Sequence, residues 1–122
     1  MSKRILVVED ERTLRGLRAA QLKFCGLEAD FALDGMEAVQ RFGEQSYSLV
    51  LMDIALPRLS GLDACRRMRA WEQEKNLAPA IVVAVSSEAQ IGECLAAGMN
   101  DFYQKPLLMP QLRELLQRWF HA

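Results

Sequence analysis

The chain has 122 residues, 51% of them hydrophobic and 25% charged, with a formal net charge of −1. That balance fits an ordinary soluble domain with a real core, and it excludes a broad electrostatic pull toward nucleic acid or a membrane surface. Cys25, Cys65 and Cys94 are scattered with no Cys-x-x-Cys pair and the one histidine is His121, so no zinc site is expected, only the reduced, mostly buried thiols of a cytoplasmic protein.

After the basic start Met1-Ser2-Lys3-Arg4, the apolar run Ile5-Leu6-Val7-Val8 is too short for a signal peptide or a membrane span. It reads as a buried strand. Glu9-Asp10-Glu11 follow it directly. Asp10 is expected to cap the next helix, whose positive end suits acids. Leu14, Leu17, Leu22 and Phe24 predict that helix's apolar face and Gly26 its stop. A short second strand is expected from Glu28 to Ala32. The turn Asp34-Gly35 then opens a helix with Met36, Val39 and Phe42 on one side.

Ser48-Leu49-Val50-Leu51-Met52-Asp53 is the stretch around which the rest is arranged. Its unbroken apolar run fits a strand buried on both faces, ending in a carboxylate. Asp53 also suits a plain turn or helix-cap role. A loop with Pro57 leads to a third helix from Gly61 to about Glu74, with Leu62, Cys65, Met68 and Trp71 at helical spacing. Arg66, Arg67 and Arg69 read as its solvated face. Asn76 to Pro79 breaks the chain, and Ala80 to Val85 is a fourth strand ending at Ser86-Ser87. A short helix from about Ala89 to Ala97 stops at Gly98. Asp101 to Gln104 is a fifth strand, followed by Lys105-Pro106. The last helix is expected to start at Pro110, with Leu112, Leu115, Leu116 and Trp119 as its stripe. Met36, Met52, Met68 and Met99 read as core fillers.

Five strands alternating with five helices predict an α/β, doubly wound, flavodoxin-like sheet of five parallel strands in the order 2-1-3-4-5. No linker or repeat marks a second domain, so residues 1–122 are expected to form one. In that order the strand ends gather Glu9, Asp10, Asp53, Ser86 and Lys105 at the carboxyl edge. Three crowded acids repel one another, and a divalent cation relieves that. Mg²⁺ prefers oxygen ligands and works with one or two carboxylates plus a phosphate. Asp53 then suits a carboxylate nucleophile forming an aspartyl phosphate, with Lys105 neutralising phosphoryl oxygens and the Ser86 hydroxyl donating to one.

Five segments carry a family resemblance: Ile5 to Glu11; Leu51-Met52-Asp53 with Leu56-Pro57 and Gly61; Ala84-Val85-Ser86; Ala96-Ala97-Gly98-Met99; and Lys105-Pro106. In this order and spacing the chain resembles a response-regulator receiver domain over essentially its full length. The resemblance implies Asp53 as phosphoacceptor, and Mg²⁺ bound by Asp10, Asp53 and the backbone carbonyl of Ala55, with Glu9 acting mostly through water. It implies a cis bond at Pro106. It also implies a phosphohistidine donor on a histidine kinase or histidine phosphotransfer protein, and a downstream protein target or fused output domain. Direct nucleic-acid binding, membrane association and turnover catalysis are not expected. The protein would be a monomer or a weak, phosphorylation-dependent dimer.

Departures from the family pattern are Glu9 where many members carry Asp, Ser86 where Thr is commoner, and a shortened fourth helix that leaves Ser87 as an alternative hydroxyl. Phe102 occupies the aromatic switch position without a hydroxyl. Ser86 and Phe102 are expected to move together on phosphorylation and reshape the face of the fourth helix, fifth strand and fifth helix. Ala55 and Glu88 stand where residues tune phosphoryl lifetime. A haloacid-dehalogenase-like phosphatase would need a second acid where Ala55 stands. A flavin carrier would need a hydroxyl- and glycine-rich loop where the first acids stand. A degenerate receiver acting as an interaction module is the remaining alternative.

Overall fold

The computed structural model describes residues 4–88 and 90–120. Residues 1–3, 89 and 121–122 lie outside that description, and with them the basic start, the expected first residue of the fourth helix and His121. The elements in chain order are β1 (Ile5–Val8), α1 (Arg12–Phe24), β2 (Asp30–Ala32), α2 (Gly35–Glu44), β3 (Leu49–Asp53), α3 (Gly61–Glu74), β4 (Ile81–Ser86), α4 (Ile91–Ala96), β5 (Asp101–Gln104) and α5 (Met109–Trp119). The five strands pair in parallel in the order β2-β1-β3-β4-β5, as the alternation predicts.

Each central strand is apolar on both sides because helices cover both faces. Leu6, Val8, Val50, Met52, Val82 and Ala84 pack with Ala38 and Phe42 of α2, Cys65 and Met68 of α3 and Cys94 of α4. The alternate residues Ile5, Val7, Leu49, Leu51, Val83 and Val85 pack with Leu22 of α1 and with Leu112, Leu115 and Leu116 of α5. Each fully buried aliphatic side chain here contributes about 1.5–3 kcal/mol of transfer free energy. The predicted stops hold, with α1 and α4 followed by the positive-φ residues Gly26 and Gly98. A side chain at Gly61 would collide with the backbone carbonyl of Asp53, so only glycine lets α3 start so close under the end of β3.

Several local expectations are corrected. β2 is Asp30–Ala32, shorter than Glu28 to Ala32, and pairs with Leu6, Val7 and Val8 of β1. Asp10 does not cap α1; the N-cap is Glu11, which makes no side-chain cap bond. Leu17 is 46% exposed and Phe24 74%, while α1 buries Arg18, Gln21 and Leu22. Met36 is exposed, since α2 buries the phase set by Gly35, Ala38 and Phe42. Arg69 is not solvated like Arg66 and Arg67: it donates to the carbonyls of Ala80 and Gly98 and to Asn100 Oδ1, and pairs with Glu72. α5 begins at Met109, one residue before Pro110.

Candidate functional site

The parallel order sets the carboxyl ends of β1 and β3 side by side, where their connections leave to opposite faces of the sheet. Ligands of such folds bind in that crevice. The register pairs Val8 with Met52, so Asp53 is the next residue of β3 and Glu9 the next after β1. Along each strand, Glu9 continues the phase of Ile5 and Val7, and Asp53 that of Leu49 and Leu51. Both therefore belong to the α1/α5 side of the sheet.

Lys105, just past β5, reaches this pair. Its Nζ lies 3.1 Å from Glu9 Oε1 and 3.1 Å from Asp53 Oδ2. The other oxygens are held by backbone: Asp53 Oδ1 accepts the Ala55 N–H at 3.1 Å, and Glu9 Oε2 accepts the Glu11 N–H at 3.1 Å. Glu9 and Asp53 are 5% and 6% exposed, whereas Asp10 stands outermost in solvent. Each of Glu9, Asp10 and Asp53 offers a carboxylate oxygen within 4.8 Å of the others. Arg15 of α1 closes the turn from behind, donating to the carbonyls of Glu9 at 3.0 Å and Asp10 at 2.8 Å.

Crowding is visible in the ionisation of these groups. Burial raises the Glu9 pKa; the Glu11 N–H opposes that, Asp53 adds to it, and Lys105 pulls it back down, leaving it above the usual carboxylate value. For Lys105, burial works against the ammonium, but Asp53 and then Glu9 outweigh it and raise its pKa.

Ser86 ends β4 buried, with its hydroxyl accepting the Glu88 N–H at 3.3 Å rather than meeting Asp53. The Ser86 carbonyl accepts the Lys105 N–H at 2.8 Å, joining two parts of the edge. Ser86 shares the phase of Val82 and Ala84, and Phe102 packs on that same core while pairing with Ala84 in the ladder. Ser86 and Phe102 are therefore on the face opposite to Glu9 and Asp53. Ala55, Ser87 and Glu88 are exposed at the rim. The Lys105–Pro106 bond is cis.

The sequence reading missed Arg15, Arg18 and Gln21. Arg15 looks like any solvated helix arginine. Arg18 and Gln21 carry a signal in their spacing, since they share the helical phase of Leu14 and Leu22.

Comparison with known proteins gives the family and the fold. The profile of the response regulator receiver domain matches residues 5–117. Histidine kinase 5 of Arabidopsis thaliana is 33% identical over 144 residues, covering 97% of this chain and 16% of that protein. The chain spans 4% to 52% of the length of this and other curated relatives. Among solved structures, the receiver domain of sensor histidine kinase PA1611 from Pseudomonas aeruginosa, with a magnesium ion coordinated in its active-site cleft, is 35% identical. The match covers 98% of both chains with a TM-score of 0.84. A chain in the co-crystal of the Saccharomyces cerevisiae histidine phosphotransfer protein Ypd1 with the receiver domain of its response regulator Ssk1 is 28% identical. That match covers 95% of this chain and 87% of that one, with a TM-score of 0.90. Among the described residues, no helix is long and apolar enough to cross a membrane.

Proposed function

The chain belongs to the response regulator receiver domain family, and from that premise we propose that Asp53 is its phosphoacceptor, charged by a phosphohistidine on a kinase or phosphotransfer protein. Receivers are signalling domains of phosphorelays, and this chain has relatives among both histidine kinases and response regulators. The observation that carries the proposal is the pinned Asp53 carboxylate, with Lys105 on one oxygen and the Ala55 N–H on the other, beside two further acids.

The donor set fits a divalent cation: three hard carboxylates within reach of one another, and one lysine to balance them. Asp10, Asp53 and the Ala55 carbonyl would hold Mg²⁺, with Glu9 acting through water. When bound, the ion draws negative charge off phosphoryl oxygens. One Asp53 oxygen attacks phosphorus, and the P–N bond breaks with its electron pair returning to the imidazole. Lys105 neutralises the phosphoryl oxygens and the Ser86 hydroxyl donates to one of them.

The new group brings about −1.5 to −2 of charge. Ser86 moves toward it, Phe102 follows into the space released, and the face of α4, β5 and α5 changes as the population shifts between two packings. Ala55 and Glu88, at the rim, govern water access and so the lifetime of the acyl phosphate. The 122-residue chain then acts as one cytoplasmic receiver that controls a protein target or fused output domain, and as a signalling switch rather than a turnover enzyme.

Incubation with acetyl phosphate and Mg²⁺, read by intact mass, tests this. Wild type should gain a single phosphoryl group and Asp53→Asn none. Steady hydrolysis of phosphate esters without an adduct would contradict it.

A further inference from the structure

Helix α1 buries two polar side chains at positions whose phase calls for aliphatic ones. Arg18 is 4% exposed and Gln21 7%. Arg18 Nη1 donates to Gln21 Oε1 at 2.6 Å and to the Leu107 carbonyl at 3.1 Å. Gln21 Nε2 donates to the same carbonyl at 2.9 Å. No salt bridge among the described residues neutralises Arg18. Burying a guanidinium without a carboxylate partner is costly, and leucine at both positions would be buried at no such cost. Burial pushes the Arg18 pKa down, and the negative charge of Glu9 opposes that shift.

The carbonyl that receives this double grip lies two residues beyond Lys105. On its other side, the Lys105 N–H is tied to the Ser86 carbonyl at 2.8 Å. The segment bearing the ammonium is thus fastened at one point to β4 and at another to α1. We propose that Arg18 and Gln21 are positioning residues for Lys105: by fixing the Leu107 carbonyl they hold the ammonium at Asp53, where it meets phosphoryl oxygens. This rests on the role assigned above to Lys105. It adds a structural reason for α1 to carry polar residues on its buried face.

A double-mutant cycle tests the inference. The probe is fluoroberyllate, a phosphoryl mimic, titrated at saturating Mg²⁺ and read by amide chemical shifts. Lys105→Ala should weaken fluoroberyllate binding about tenfold or more, since a charge-assisted contact is lost. The pair Arg18→Leu with Gln21→Leu should weaken it roughly fivefold, yet add nothing on top of Lys105→Ala, because coupled residues are not additive. Mg²⁺ affinity measured without fluoroberyllate should not fall in the Arg18/Gln21 pair, since a displaced Lys105 leaves Glu9 and Asp53 no less negative. Gln21→Leu alone carries the same cycle should the pair fail to fold.

A merely structural brace would lower the unfolding midpoint and leave fluoroberyllate affinity intact, or its effect would multiply with that of Lys105→Ala; either result overturns the proposal. Loss in Lys105→Ala with none in the Arg18/Gln21 pair removes the positioning role alone. No loss in Lys105→Ala removes the reading of the site beneath it as well.

Discussion

The two edges of the sheet hold buried charge in opposite ways. At the amino edge, Arg69 pairs with Glu72 at 2.9 Å and donates to two carbonyls and to Asn100 Oδ1, while the other Glu72 oxygen accepts the Ala80 N–H at 2.7 Å. One cation meets one acid, and four of the five guanidinium N–H groups have acceptors. At the carboxyl edge, three acids stand together and, among the described residues, the one salt-bridging cation is Lys105, which pairs with Glu9 and Asp53 and not with Asp10. A charge-balanced, well hydrogen-bonded cluster ties elements together. A cluster with surplus negative charge costs stability, which an outside cation or proton uptake relieves.

The largest expected effect separates the edges by stability. Arg69→Leu leaves the buried Glu72 carboxylate without its cation and should lower the unfolding free energy by about 3 kcal/mol in urea denaturation. The acetyl-phosphate adduct of the folded variant should match wild type. A reduced adduct would mean that the edges are coupled. Next, Mg²⁺ at about 100 times its Kd should stabilise wild type and Arg69→Leu alike by ~2.7 kcal/mol. Asp10→Ala should show a much smaller gain; an equal gain would place the ion elsewhere.

The smallest effect concerns pH and has two signs. Asp34 caps α2 by accepting the Glu37 N–H at 2.8 Å and pairs with Arg58 at 3.0 Å. The Glu37 N–H, helped by Arg58, outweighs burial and lowers its pKa. A carboxyl lowered on folding stabilises above its unfolded pKa of about 4, and that contribution is lost as pH falls through the folded value. Asp34→Ala should therefore cost about 1 kcal/mol at neutral pH and little in strong acid. Glu9, raised by burial, behaves oppositely: its contribution is present in acid and lost as pH rises through its folded pKa. Metal-free Glu9→Gln should be slightly more stable than wild type at neutral pH and no more stable in acid. A neutral-pH loss as large as that of Asp34→Ala would show the Glu9 charge to be satisfied without metal.

The same contrast governs what the sequence discloses. Glu9 and Asp53 follow or end an apolar strand, Lys105 follows the mixed strand Asp101–Gln104, and a parallel sheet brings such ends together although Lys105 is 52 residues from Asp53. The central strands, α3 and β5 are equally legible, because their apolar spacing and turn residues agree. Arg69 is not: its neighbours Arg66 and Arg67 look identical in the chain, and its acceptors Ala80, Gly98 and Asn100 lie 11 to 31 residues away. In α1, residue type misleads where phase does not. Leu17 and Phe24 look like core, yet the turn that buries Leu22 buries Arg18 and Gln21. Where Ser86 points was also hidden, since its acceptor role toward Glu88 depends on the loop after β4.

The most direct test of the central claim is to locate the phosphoryl group. Protein treated with acetyl phosphate and Mg²⁺ can be reduced with borohydride, which converts an acyl phosphate to an alcohol, then digested and mapped by tandem mass spectrometry. Reduction is expected at Asp53 alone. Reduction at Asp10 or Glu9, or at no carboxyl group of a protein that binds Mg²⁺, would contradict it.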